Sequence, residues 1–178
     1  LLKAYASVLQ AQQAKGADAD ALPFLLVAGP GMDTAYGQML KELVAKLGLE
    51  DRVFFPGMLS GDAKWGAFYA CEAFVLPSHQ ENFGIAVAEA LACSKPVLIS
   101  NQVNIWREIK QAGAGFVAEN TLAGTTSLLR NWTEMSAEKK KNVSAAAKAC
   151  FERNFDVETA AKRMMQQVLK NIVQRETV

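Results

Sequence analysis

Glu81 and Glu89 stand eight positions apart in the run Glu81-Asn82-Phe83-Gly84-Ile85-Ala86-Val87-Ala88-Glu89, the stretch of this chain whose residue types best suit chemistry. Glu89 lies in an apolar segment that continues through Ala90-Leu91-Ala92-Cys93, where a buried carboxylate is costly unless a polar group answers it. The pattern predicts a helix over residues 83–93, so the N–H groups near Phe83, Gly84 and Ile85 lack intrahelical acceptors and offer a small anion site. Gly84 permits close backbone approach there. Were residues 81–89 all helical they would rise about 12 Å, a path that the preceding loop would bend. That separation suits a ligand with two hydroxyl-bearing ends and an anionic middle, and a nucleoside diphosphate sugar has this shape.

The elements that must position these groups follow a regular order. Short apolar or β-branched runs at residues 24–28, 52–55, 73–76, 96–99 and 115–118 are bounded by Gly, Pro or Ser and read as buried strands. Helical patterns at about 32–47, 61–71, 83–93 and 103–111 separate them, and this alternation predicts an α/β fold with a Rossmann-like, doubly wound parallel sheet and helices on both faces. Helices alone follow, over 122–132, 137–151 and about 157–174. The last carries an apolar series at Val157, Ala161, Met164, Val168, Leu169 and Ile172, which either packs on its own domain or faces a segment outside this chain. No internal repeat or low-complexity linker appears, so residues 1–178 read as a single domain. In such a sheet, ligands bind beyond the carboxyl ends of the strands. The loops there hold Gly29-Pro30-Gly31, Pro56-Gly57-Met58, the segment from Pro77 and Ser78 to Gly84, and Ser100-Asn101.

Composition narrows the function classes. Of 178 residues, 51% are hydrophobic and 21% charged, which is ordinary for a globular domain and argues against disorder. The net charge of +1 gives no basis for nucleic-acid binding, and the basic run Lys139-Lys140-Lys141 reads as a solvated helix face. Cys71, Cys93 and Cys150 are widely separated and only one histidine is present, so neither a disulfide framework nor a metal site is expected. No apolar run is long enough to span a bilayer. A reducing, cytoplasmic setting is the expectation, with peripheral membrane contact of a longer protein left open. The chain opens without methionine on Leu1-Leu2-Lys3-Ala4-Tyr5-Ala6, already in a helical pattern, as an excerpt would.

The run from Phe74 through Pro77-Ser78-His79-Gln80-Glu81-Asn82-Phe83-Gly84-Ile85 and Glu89 to Val97 resembles the donor-binding signature of the retaining glycosyltransferases of family 4 (group 1), which have the GT-B fold. Arg52-Val53-Phe54-Phe55-Pro56-Gly57 and Ala112-Gly113-Ala114-Gly115-Phe116-Val117 resemble the family's neighbouring blocks. The resemblance implies the C-terminal, nucleotide-sugar-binding half of that fold. Glu89 would bind the ribose hydroxyls, and Glu81, the catalytic candidate, would face the transferred sugar near its 3- and 4-hydroxyls. Asn82 and Ser78 would belong to the same donor loop. The amides of Phe83, Gly84 and Ile85 would hold sugar hydroxyls or phosphate oxygens, Phe55, Gly57 and Met58 would border the base, and Gly29 and Gly31 would leave room at the first loop. The donor is a substrate; no cofactor or metal is implied. The family's strand ending in Gly-Arg and its Lys-Gly turn, which usually neutralise the leaving diphosphate, would precede Leu1. They and the N-terminal acceptor-binding domain are expected partners outside this chain, with residues 156–175 packing toward that domain.

Other readings stay in view. A binding module that holds a nucleotide sugar without transferring it would carry the same residues, and a nucleotide-sugar epimerase would have only His79 and Glu81 as acid and base. Glu89 could be paired structurally with a local Lys or Arg, and Glu81 could be an exposed residue before a helix. Gly29-x-Gly31 lacks the third glycine of a dinucleotide fingerprint, since Thr34 stands there. Asp18-Ala19-Asp20 precedes a strand and so falls at the sheet's opposite edge, as a surface turn. Trp65, Trp106 and Trp132 read as packing residues, and Asn101 to Asn104 as a polar loop that could border a sugar pocket.

Overall fold

The computed structural model describes residues 1–18, 22–162 and 164–166. Helix α1 (Leu2–Ala14) opens the fold, followed by β1 (Leu25–Ala28), α2 (Ala35–Lys46), β2 (Val53–Gly57), α3 (Gly61–Ala70), β3 (Phe74–Leu76), α4 (Ile85–Ala92), β4 (Val97–Ser100), α5 (Trp106–Ala112) and β5 (Gly115–Ala118). Helices α6 (Leu122–Thr133) and α7 (Ala137–Asn154) complete the named elements. All five expected strands form, and every pairing is parallel.

The strands do not join into one continuous sheet. β1 pairs with β2, aligning Leu25 with Val53, and β3, β4 and β5 form a second sheet in that order, aligning Val75, Leu98 and Phe116. The two are bridged by side chains instead. Val27 of β1, Val75 of β3 and Leu98 of β4 pack into one apolar cluster with Tyr5 and Leu9 of α1 and Leu128 and Trp132 of α6. The neighbouring residues Val97 and Ile99 point the other way, into a second cluster with Leu91 of α4, Ile109 of α5 and Cys150 of α7. Alternation along β4 thus puts helices on both faces of the three-stranded sheet, as a period of two requires.

Several boundaries move from their expected positions. Helix α2 starts at Ala35 rather than Met32, because the Thr34 hydroxyl accepts the Gly37 N–H at 3.2 Å and caps it. Helix α4 starts at Ile85 rather than Phe83, and α5 at Trp106 rather than Val103. Beyond α7, Asp156 accepts the Thr159 N–H at 2.9 Å and residues 157–162 and 164–166 are helical. Val157 and Met164, expected on one packing face, are 81% and 70% exposed, so they do not pack on their own domain. Val168, Leu169 and Ile172 lie outside the described residues, as do Ala19 and Asp20 of the Asp18-Ala19-Asp20 turn. Trp132 is buried as expected. Within the basic run, Lys140 pairs with Glu72 at 2.7 Å. The three cysteines are free, and burial pushes the Cys71 and Cys150 thiols up. No described helix is long and apolar enough to cross a membrane.

Candidate functional site at the carboxyl edge of the strands

The segment after β3 runs along the carboxyl edge of its sheet and is tied there at several points. Ser100, fully buried at the end of β4, donates its hydroxyl to the Ser78 carbonyl at 2.6 Å. Ser78 in turn donates to the Gln80 carbonyl at 2.9 Å. Glu81 is held by its backbone on both sides: its N–H donates to the Gln102 carbonyl and its carbonyl accepts from Asn104, each at 3.2 Å, forming an isolated parallel bridge with Val103. The polar loop over Asn101 to Asn104 therefore lies directly beside Glu81. This pairing is also why α5 begins late, since Gln102 and Asn104 are engaged with Glu81.

Gly84 makes the turn into α4. Its φ of 76° is left-handed, and a Cβ there would meet Val103 Cγ1 at 3.2 Å and Val87 Cγ2 at 3.3 Å, so the backbone both needs glycine's freedom and leaves no room for a side chain. The turn delays the helix, and the N–H groups of Phe83, Gly84, Ile85 and Ala86 have no acceptor among the described residues. The three N–H groups expected to lack acceptors do lack them, and Ala86 adds a fourth. Asn82, Phe83 and Ile85 are exposed around them, and Phe83 rests edge-on against Phe155 at 5.9 Å.

Glu89, a turn into α4, is partly buried and finds its polar partner in Lys64 of α3, whose ammonium donates to Oε1 at 2.7 Å. The structural pairing weighed from the sequence is therefore present. It occupies one carboxylate oxygen, and no partner for Oε2 occurs among the described residues. Lys64 also lies 4.5 Å from the centre of the Trp65 ring.

The first two loops are neighbours. The Gly29 N–H donates to the Gly57 carbonyl at 2.9 Å, Thr34 donates its hydroxyl to the Gly31 carbonyl at 2.6 Å, Phe55 is half-buried against the cluster that includes Leu25 and Val53, and Met58 is exposed. Gly37 supplies the tight contact absent at Thr34: a Cβ at Gly37 would fall 2.4 Å from the Gly31 carbonyl oxygen, so α2 presses directly on the first loop. His79, a lone histidine in the sequence, has a neighbour after all in Asn120, whose side-chain nitrogen lies 3.1 Å from Nδ1. Sequence reading missed Lys64, Gly37 and Asn120. Only Gly37 had a visible signal, as a glycine opening an otherwise ordinary helix.

Comparisons with known proteins agree with this architecture. A family model for glycosyl transferases group 1 matches residues 1–166. Mannosylfructose-phosphate synthase of Agrobacterium fabrum is 36% identical over 88 residues, 48% of this chain and 19% of that protein. The lipopolysaccharide core biosynthesis mannosyltransferase LpsB of Rhizobium meliloti is 36% identical over 91 residues, 50% of this chain and 25% of that protein. Sucrose-phosphate synthase of Thermosynechococcus elongatus has a similar structure, with a TM-score of 0.73 at 18% identity over 97% of this chain and 42% of that one. Anabaena Alr3699/HepE, solved in complex with UDP and glucose, gives a TM-score of 0.70 at 20% identity over 92% of this chain and 44% of that one. The chain spans about a quarter or less of these two curated relatives and under half of the solved chains, whose likeness speaks to the fold. With the family model spanning every named strand and helix, and the fold that of half a GT-B glycosyltransferase, this chain belongs to the glycosyl transferases of group 1.

Proposed function

We propose that this chain is the donor-binding half of a retaining glycosyltransferase that moves a hexose from a nucleoside diphosphate sugar to a hydroxyl acceptor. The observation that carries the reading is the Glu81-to-Glu89 segment: a glutamate whose backbone is held on both sides, a cluster of open amides, and a second glutamate a turn into the helix, in that order along one edge. Support also comes from relatives named as a mannosylfructose-phosphate synthase and a mannosyltransferase, and from a similar fold solved with UDP and glucose. Glu89 then takes ribose hydroxyls, the amides from Phe83 onward take phosphate or sugar oxygens, and Glu81 positions the transferred sugar. Phe55, Gly57 and Met58 border the base, with Gly29 and Gly31 giving clearance and Ser78 and Asn82 shaping the loop.

In the reaction, the bond from the anomeric carbon to the leaving phosphate oxygen breaks through an oxocarbenium-like state, and the acceptor oxygen bonds to that carbon on the same face. The departing phosphate takes the acceptor's proton. The protein's part is placement and stabilisation of charge on the leaving group, with no cofactor or metal. The leaving group's cations, the acceptor-binding domain and a strand filling the gap between β1 and β3 come from upstream in the full-length, cytoplasmic protein. The absence of hydrogen bonds joining β1 to β3 supports that last element.

The test uses the full-length protein. Glu89→Ala is expected to weaken nucleotide-sugar binding roughly tenfold or more, through loss of charge-assisted hydrogen bonds. Glu81→Ala is expected to lower kcat about a hundredfold with a smaller change in binding, as a misplaced reacting group does. Calorimetry and initial rates in which both variants match the parent would sink the reading. Intact donor binding with no transfer to any hydroxyl acceptor would favour a binding module instead.

A further inference from the structure

We propose that Lys64 is a positioning residue for the nucleoside end of the donor: by holding Oε1 of Glu89 it fixes the carboxylate plane and leaves Oε2 as the acceptor for a ribose hydroxyl. This rests on the nucleoside role of Glu89 given above. The pair spans two helices, with Lys64 in the first turn of α3, shortly after the loop that includes Gly57 and Met58, and Glu89 on α4. Its side chains are 34% and 24% exposed, so it sits at a rim where water and ligand can reach it. The Trp65 ring 4.5 Å away narrows where the ammonium can lie, which makes Lys64 a more defined anchor than a free surface lysine.

A carboxylate with one oxygen engaged presents the other in a restricted direction, whereas an unpaired glutamate samples several rotamers before it meets a hydroxyl. Charge supplies a second reason. Glu89 lies four residues beyond Ile85, a helical rise of about 6 Å from the open amides, well inside a Debye length of about 8 Å. An uncompensated carboxylate there would oppose a diphosphate bound at those amides. The Lys64 ammonium, 2.7 Å from Oε1, offsets that opposition.

Titration calorimetry on the full-length protein tests this with UDP, GDP and ADP, and with the 2′,3′-dideoxy form of whichever binds tightest. Lys64→Met is expected to weaken binding of the ribonucleotide roughly threefold to tenfold, the range for a charge-assisted contact discounted for partial exposure. It should also shrink the preference for the ribo over the dideoxy form. Lys64→Arg should stay within about twofold of the parent, since it retains charge and donors. The double variant Lys64→Met/Glu89→Gln should bind no more weakly than Glu89→Gln, because Lys64 acts through that carboxylate. Lys64→Gln is run beside Lys64→Met, and thermal melts of each keep a folding defect from passing as a binding effect.

An unchanged ribo-to-dideoxy ratio in Lys64→Met, with only a lower melting temperature, would make the pair a purely structural tie and overturn the inference. Equal loss in the parent and Glu89→Gln backgrounds would overturn it too, since Lys64 would then touch the ligand directly. If Glu89→Gln is weakened while Lys64→Met is not, this inference alone falls. If Glu89→Gln binds like the parent with an unaltered ratio, the nucleoside role of Glu89 falls with it.

Discussion

The three-stranded sheet is covered on both faces and the two-stranded one on a single face. In β4, Leu98 packs toward α1 and α6 while Val97 and Ile99 pack toward α4 and α5, and all four residues of the strand are fully buried. In β1 and β2, Leu25 and Val53 are covered and join a cluster that includes Val44 of α2, but Leu26 and Phe54 on the opposite face remain 50% and 47% exposed. Parallel strands are ordinarily buried on both faces, so the second arrangement is the unusual one. The loops inherit the difference. The segment carrying Glu81 is tied to β4 and its following loop by a buried hydroxyl and by paired backbone groups. The loops at Gly31 and Met58 are held to each other by one backbone bond and otherwise by local contacts. A site built across both sheets would thus have a fixed edge at the segment carrying Glu81 and a more adaptable one at the loops of Gly31 and Met58.

The sharpest way to break this comparison is to empty the doubly covered core. Ile99→Ala removes three carbons from a fully buried position between α4 and α5, and is expected to cost about 2–5 kcal/mol. Leu26→Ala, a change of similar size on the open face, should stay within about 0.5 kcal/mol. Urea denaturation of both variants checks the pair. Similar losses for the two would mean that the open face is covered in solution.

Gly84→Ala probes the junction where the fixed half meets the site. Its left-handed backbone and two close contacts predict a loss of about 1–3 kcal/mol. Because the open amides flank this turn, nucleotide binding should weaken in the same variant. Stability near that of the parent in a urea melt would show that the loop adapts, and would remove the contrast with the β1 and β2 loops.

The strands were legible because each is a short apolar run closed by Gly, Pro or Ser, and β4 in particular had no competing helical period. The open amides were legible for a local reason, a glycine at the entry to an apolar helix. The helix's exact start was not: Phe83 fits the apolar helical pattern, and only the left-handed backbone at Gly84 delays the helix to Ile85. The need for a partner to Glu89 followed from the cost of burying charge, but Lys64 lies 25 residues away and no local pattern points to it. The division into two sheets was likewise hidden, because an alternating order of elements does not specify which strands hydrogen-bond.

A smaller effect than that of Gly84→Ala, and a gain, is expected at the far end of α4. Ser94 has φ 61° and sits where the helix closes with Lys95 N–H on the Ala90 carbonyl and Ser94 N–H on the Leu91 carbonyl, both at 2.9 Å. That closure favours glycine at the left-handed position. Relieving the Cβ there is worth about 1–2 kcal/mol, against about 0.5–1 kcal/mol of extra backbone entropy that glycine loses on folding. Ser94→Gly should therefore stabilise the protein by about 0.5–1 kcal/mol, an increase in Tm of roughly 1–4 °C by calorimetry. Since α4 belongs to the doubly covered half, the gain should appear as slower amide exchange in α4 and β4 with little change in β1 and β2. An equal gain in both halves would mean that the two sheets unfold as one cooperative unit, joined through the cluster of Val27, Val75 and Leu98 despite the absence of hydrogen bonds between them.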